Sequence, residues 1–95
     1  MNKNVHKGQI VKSIAGRDSG RYFIVLEICS DDMILISDGS LRKIQKPKLK
    51  KLKHLELTSS LCDAVDRINY NDLQSQNAFI LRQLEKLGYS NKRGE

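Results

Sequence analysis

Three short apolar stretches follow one another near the start of the chain: Gln9–Ile14, Tyr22–Ile28 and Met33–Ser37. The second is dense in β-branched and aromatic residues, which favour a pleated, half-buried backbone. Cys29-Ser30-Asp31-Asp32 between the second and third has turn chemistry. Asp38-Gly39 predicts a tight turn, because glycine accepts positive φ. Leu41–Ile44 reads as a fourth strand, Pro47 breaks the pattern, and Lys53–Leu57 reads as a fifth. Five short strands within residues 8–57 predict a small, strongly bent β-barrel, since closing a sheet removes its exposed edges.

The period changes after residue 58. Ser60 followed by Asp63 resembles a capping box, and Leu61, Val65 and Ile68 then share one helical face. Asn71 followed by Gln74 marks a second start. Beyond it Leu73, Ile80, Leu84 and Leu87 keep helical spacing, with Leu81 widening the stripe. Gly88 is placed as a stop signal. The expected class is therefore α+β: a five-stranded barrel over 1–58, two short helices over 59–88 and a flexible tail over 89–95. The helical stripe has two readings, packing within the molecule or a partner surface.

Length and composition narrow the class. A chain of 95 residues is one small domain with a modest core, too little for a large catalytic cleft. It has no apolar run of about 18 residues, so no membrane span is expected. Its start, MNKNVHKGQIV, lacks the apolar stretch of a secretory signal. A cytoplasmic protein is the expectation. Cys29 and Cys62 have no paired metal-ligand spacing and are expected to be reduced and largely buried.

Charge changes the picture more. The formal net charge is +6. Residues 1–57 hold 12 Lys and Arg against 6 Asp and Glu, whereas 58–95 hold 5 of each. Arg42 to Lys53, RKIQKPKLKKLK, is basic at seven of twelve positions and acidic at none. Lysines this dense repel one another unless a counter-charge is present, and a polyanion is the usual one. Leu41, Ile44, Leu49, Leu52 and Leu55 recur in and around this run. Such threading predicts a segment docked on a core with its charges fanned outward.

The remaining feature is the loop Ala15-Gly16-Arg17-Asp18-Ser19-Gly20-Arg21 between the first two strands. Gly16 and Gly20 are expected where the backbone needs positive φ. Backbone N–H groups beside Arg17 and Arg21 are expected to converge on phosphate oxygens. Lys7 to Ile28, KGQIVKSIAGRDSGRYFIVLEI, resembles the KOW motif of ribosomal proteins and transcription elongation factors. With KLKKLKHLELT downstream, the stretch from Lys7 to Thr58 is similar to KOW-bearing large-subunit ribosomal proteins of archaea and eukaryotes and to small bacterial KOW-domain RNA-binding proteins.

That resemblance implies an SH3-like barrel that binds RNA, with ribosomal RNA and ribosome association as the expectation. It matches Gly16 and Gly20 to the turn glycines and Arg17 and Arg21 to the basic positions after them. Lys50, Lys51, Lys53 and His54 match the basic segment before the last strand. Ser19 stands where many such motifs carry lysine, and Tyr22-Phe23 where lysine and glycine are common, which moves the expected contact toward Arg42–Lys53. The candidate RNA-binding residues are Lys12, Arg17, Arg21, Arg42, Lys43, Lys46, Lys48, Lys50, Lys51, Lys53 and His54. Tyr22 is the one aromatic side chain expected near the loop.

No enzyme is expected. His6 and His54 lie far apart without a nucleophile of triad form, Asp31-Asp32 reads as a polar turn, and no phosphate-binding loop or dinucleotide fingerprint is present. Neither a cofactor, a metal nor a small-molecule substrate is expected. The competing expectation is a protein-interaction module that presents its basic face to an acidic protein, since SH3-like folds serve both roles.

Overall fold

The computed structural model describes residues 5–62, 65 and 67–91. Five strands form one antiparallel sheet: β1 (Gln9–Ser13), β2 (Tyr22–Ile28), β3 (Met33–Ser37), β4 (Lys48–Lys51) and β5 (Leu55–Leu61), in the order β4-β3-β2-β1-β5. A 3-10 turn, Leu52–His54, joins β4 to β5, and helix α1 spans Leu73–Lys86.

Both faces of the sheet are buried. Val11, Phe23, Val25, Ile34 and Ile36 form one core with Leu52 and Leu55. The opposite face, with Ile10, Ile24 and Leu26, packs against Ile80 and Leu84 of α1. The register pairs Val11 with Phe23 and Ile10 with Ile24, so neighbouring strands send matching residues to the same side. Register shifts interrupt β2–β3 between Val25 and Glu27, and β1–β5 between Gln9 and Val11. Bulges of this kind bend and twist a sheet.

The first three strands fall where the sequence places them, but the rest differs. The sheet is not closed into a barrel: β4 and β5 are its two edges. Leu41–Ile44 is not a strand. The Asp38 carboxylate accepts from the N–H groups of Ser40 and Arg42, and the Ile44 N–H goes to the Asn77 side chain, so this backbone has no ladder to join. The fourth strand begins after Pro47, which cannot donate and so suits the approach to an edge strand. The fifth starts at Leu55 because Leu52–His54 turn first.

The helix expected to begin at Ser60 does not. Ser60 and Leu61 continue β5, beyond the boundary expected at residue 58. Of that expected helix, Asp63, Ala64 and Asp66 lie outside the described residues. Val65 and Ile68 still pack into the core with Ile80 and Leu84 of α1, whereas Leu61, the third residue of that expected stripe, is 50% exposed. Among the described residues, α1 is the one α-helix. Asp72, one residue after the expected start, accepts from the Ser75 N–H. Burial of Ile80 and Leu84 contributes about 1.5–3 kcal/mol each.

Gly88, at φ +93°, ends α1. The Tyr89 N–H reaches back to the Leu84 carbonyl at 2.7 Å and the Gly88 N–H to that of Glu85 at 3.1 Å, a Schellman motif. This reversal lays Tyr89–Asn91 on the sheet, where a flexible tail was expected. Tyr89 packs on Tyr22 with ring centroids 4.9 Å apart, and its hydroxyl meets Ser60 Oγ at 2.9 Å. The Asn91 side chain bonds both the N–H and the carbonyl of Tyr22, at 2.7 and 2.8 Å. Tyr22 is thus half-buried at the sheet rim. Residues 92–95 lie outside the described residues.

Among the described residues, no helix is long and apolar enough to cross a membrane. Both cysteines are free. Cys62 is buried as expected, but Cys29 is exposed, because it opens the β2–β3 turn with its N–H bonded to the Met33 carbonyl.

Candidate nucleic-acid interface

The β1–β2 loop closes on itself. Gly16 and Gly20 take φ of +80° and +92°, as their positions require. The N–H groups of Ser19, Gly20 and Arg21 point to the carbonyls of Gly16, Ser13 and Asp18. The expected row of outward amides at these three residues is therefore absent, since each donor already has a backbone acceptor.

Two of the arginines assigned to RNA are also turned inward. Arg21 Nη2 lies 3.0 Å from Asp38 Oδ2, and Arg42 Nη2 lies 3.2 Å from Asp18 Oδ2. Asp18 is 3% exposed and Asp38 is fully buried. Each loop gives its aspartate to the other loop's arginine, so two crossed ion pairs clasp the β1–β2 loop to the β3–β4 connection. Asp38 Oδ1 also takes the N–H groups of Ser40 and Arg42, both at 2.9 Å. A buried carboxylate needs such partners, and removing one costs about 3–5 kcal/mol in comparable pairs. The Nε groups of Arg21 and Arg42 are shielded and have no hydrogen-bond partner among the described residues.

Lys50 corrects the same assignment. It is 7% exposed, and its Nζ donates to the Ala15 carbonyl at 2.8 Å. Strand alternation explains the reversal: with Lys50 turned in, its neighbours Leu49 and Lys51 face outward. The threaded apolar residues divide likewise. Ile44, Leu52 and Leu55 are buried, whereas Leu41 and Leu49 are 59% and 50% exposed.

The other predicted cations are accessible. Arg17, Lys43, Lys46, Lys51 and Lys53 are exposed, and Lys12, Lys48 and His54 are half-buried. Lys12 Nζ sits 5.8 Å above the Tyr22 ring. These residues do not form one patch. Arg17 lines a cleft that meets Leu41, and Lys43 and Lys46 line a second cleft that shares the same leucine. Lys51 instead pairs with Met33 beside the β2–β3 turn.

Sequence reasoning missed Asp18 and Asp38 as organisers of the site. Their signal was present as two acid–arginine pairs, Asp18 with Arg21 and Asp38 with Arg42. Only folding crosses the pairs. It also missed Ser90 and Asn91, which line the cleft with Arg17. Among the described residues, no group of three or more His, Cys, Asp or Glu side chains is placed to hold a metal ion. No protein-family model matches this chain, and neither does any curated protein.

Proposed function

We propose that the protein binds structured RNA, ribosomal RNA being the target class, by electrostatic attachment to phosphates rather than by catalysis. The strand order, with a 3-10 turn between the last two strands, fits an SH3-like arrangement left open between β4 and β5. Lys50 spans from β4 to the β1–β2 loop. The observation that carries the reading is the clasp. It joins two loops into one rigid support and leaves Arg17, Lys43 and Lys46 outward around it. Fixed cations lose less entropy on meeting phosphates than cations on a loose arm.

The test is rebinding. Protein stripped with nuclease and high salt is returned to low salt with ribosomal subunits or purified ribosomal RNA, then run on a sucrose gradient. Co-sedimentation that disappears as salt rises supports the proposal. Failure to rebind either RNA or subunits, with retention of an acidic protein instead, contradicts it and favours a protein-interaction role.

A further inference from the structure

Leu41 is held out into solvent by a rigid frame. It lies between Asp38 and Arg42, which close the turn: the N–H groups of Asp38 and Gly39 bond the Arg42 carbonyl, and the Asp38 carboxylate bonds the Ser40 and Arg42 N–H groups. The clasp then fixes this turn to the β1–β2 loop. Scattered exposed leucines are ordinary. This one is distinguished by its surroundings. It lines a cleft of 570 Å³ together with Arg17, Ser19, Arg21, Ser90 and Asn91. It also lines a second cleft, of 490 Å³, with Arg42, Lys43, Lys46 and Pro47.

We propose that the cleft between Leu41 and Arg17 takes a single unpaired nucleotide of an RNA, its base against Leu41 and its phosphate toward Arg17. The inference rests on the RNA reading above and names the structural feature that RNA must offer. A nucleotide combines an apolar ring face with an anionic phosphate, and the cleft offers an aliphatic side chain beside a cation. Paired A-form RNA hides its ring faces in the stack, presents a major groove too deep and narrow for side chains, and shows only hydroxyls and polar base edges in its shallow minor groove, so Leu41 would find no apolar ring face there. A bulged base is already unstacked and exposes that face. Leucine is among the apolar side chains that nucleic-acid-binding proteins place against unstacked base steps. Charge agrees: Asp18 and Asp38 are paired with arginines, and Glu85 lines an adjoining cleft with Leu81 rather than this one.

The experiment compares two hairpins of equal length, one fully paired and one with a single bulged 2-aminopurine. The bulged hairpin is expected to bind about tenfold more tightly, equivalent to about 1.4 kcal/mol, with a change in 2-aminopurine fluorescence. Leu41→Ala is expected to abolish the preference and the fluorescence change. It should leave affinity for the paired hairpin within about twofold, because the phosphate contacts persist. The variant's melting temperature should match wild type, since Leu41 is largely solvent-exposed. Equal affinity for the two hairpins, or a preference that survives Leu41→Ala, overturns the site while leaving RNA binding intact. Binding of neither hairpin at low salt removes the RNA reading itself, and this site with it.

Discussion

The clasp and the rim around it are built from the same basic stretches yet use their charge in opposite ways. Arg21, Arg42 and Lys50 turn inward, to Asp38, Asp18 and the Ala15 carbonyl. Arg17, Lys43 and Lys46 turn outward. Neighbours in sequence, such as Arg42 and Lys43, fall on opposite sides of this division. A count of positive residues therefore overstates the binding surface. Cations that meet buried acceptors serve stability, and only the remainder stay accessible.

Breaking the clasp should have the largest effect. Asp38→Ala leaves Arg21 and two backbone N–H groups without their acceptor in a fully buried place. Its expected cost is about 3–5 kcal/mol, read as a drop in chemical-denaturation midpoint. That is a large share of the stability of so small a domain. A loss under about 1 kcal/mol would class the pair with weak surface ion pairs.

The glycines of the same two loops sharpen the contrast. A Cβ at Gly39 would lie 2.1 Å from the Asn77 carbonyl oxygen of α1, at φ +78°. One at Gly20 would meet nothing within 4 Å among the described residues, at φ +92°. Gly39→Ala combines backbone strain with displacement of the helix and should cost about 3 kcal/mol. Gly20→Ala carries strain alone, about 1 kcal/mol. Equal losses in thermal melts would mean that α1 does not rest on the turn as described.

Local signals in the sequence carried the three central strands, the Asp38-Gly39 turn and the Gly88 stop, because each depends on residues within a few positions. Long-range partners carried the rest. Leu41–Ile44 has strand-like composition, yet the Asp38 carboxylate and Asn77, 33 residues after Ile44, take its N–H groups. Ser60-x-x-Asp63 looks like a helix start, but β1 holds Ser60 and Leu61 in a strand. In the site, the cations were visible and their directions were not. Nothing local distinguishes Arg17, which faces out, from Arg21, whose carboxylate lies 17 residues away.

Lys50→Gln gives a smaller effect and a cleaner separation. It removes the ammonium that donates to Ala15. Stability should fall by about 1 kcal/mol, the net worth of one hydrogen bond. The salt dependence of RNA binding should stay unchanged, because Lys50 has no part in the rim. A reduced slope with unaltered stability would move Lys50 to the binding surface.

The central claim is that the rim, not the clasp, meets phosphate. Its most direct measurement is the slope of log affinity against log salt for wild type and for Arg17→Gln/Lys43→Gln/Lys46→Gln with one RNA hairpin. The triple variant should melt like wild type and lose about 2–3 units of slope, near one per phosphate contact removed. An unchanged slope in a folded triple variant would contradict the account.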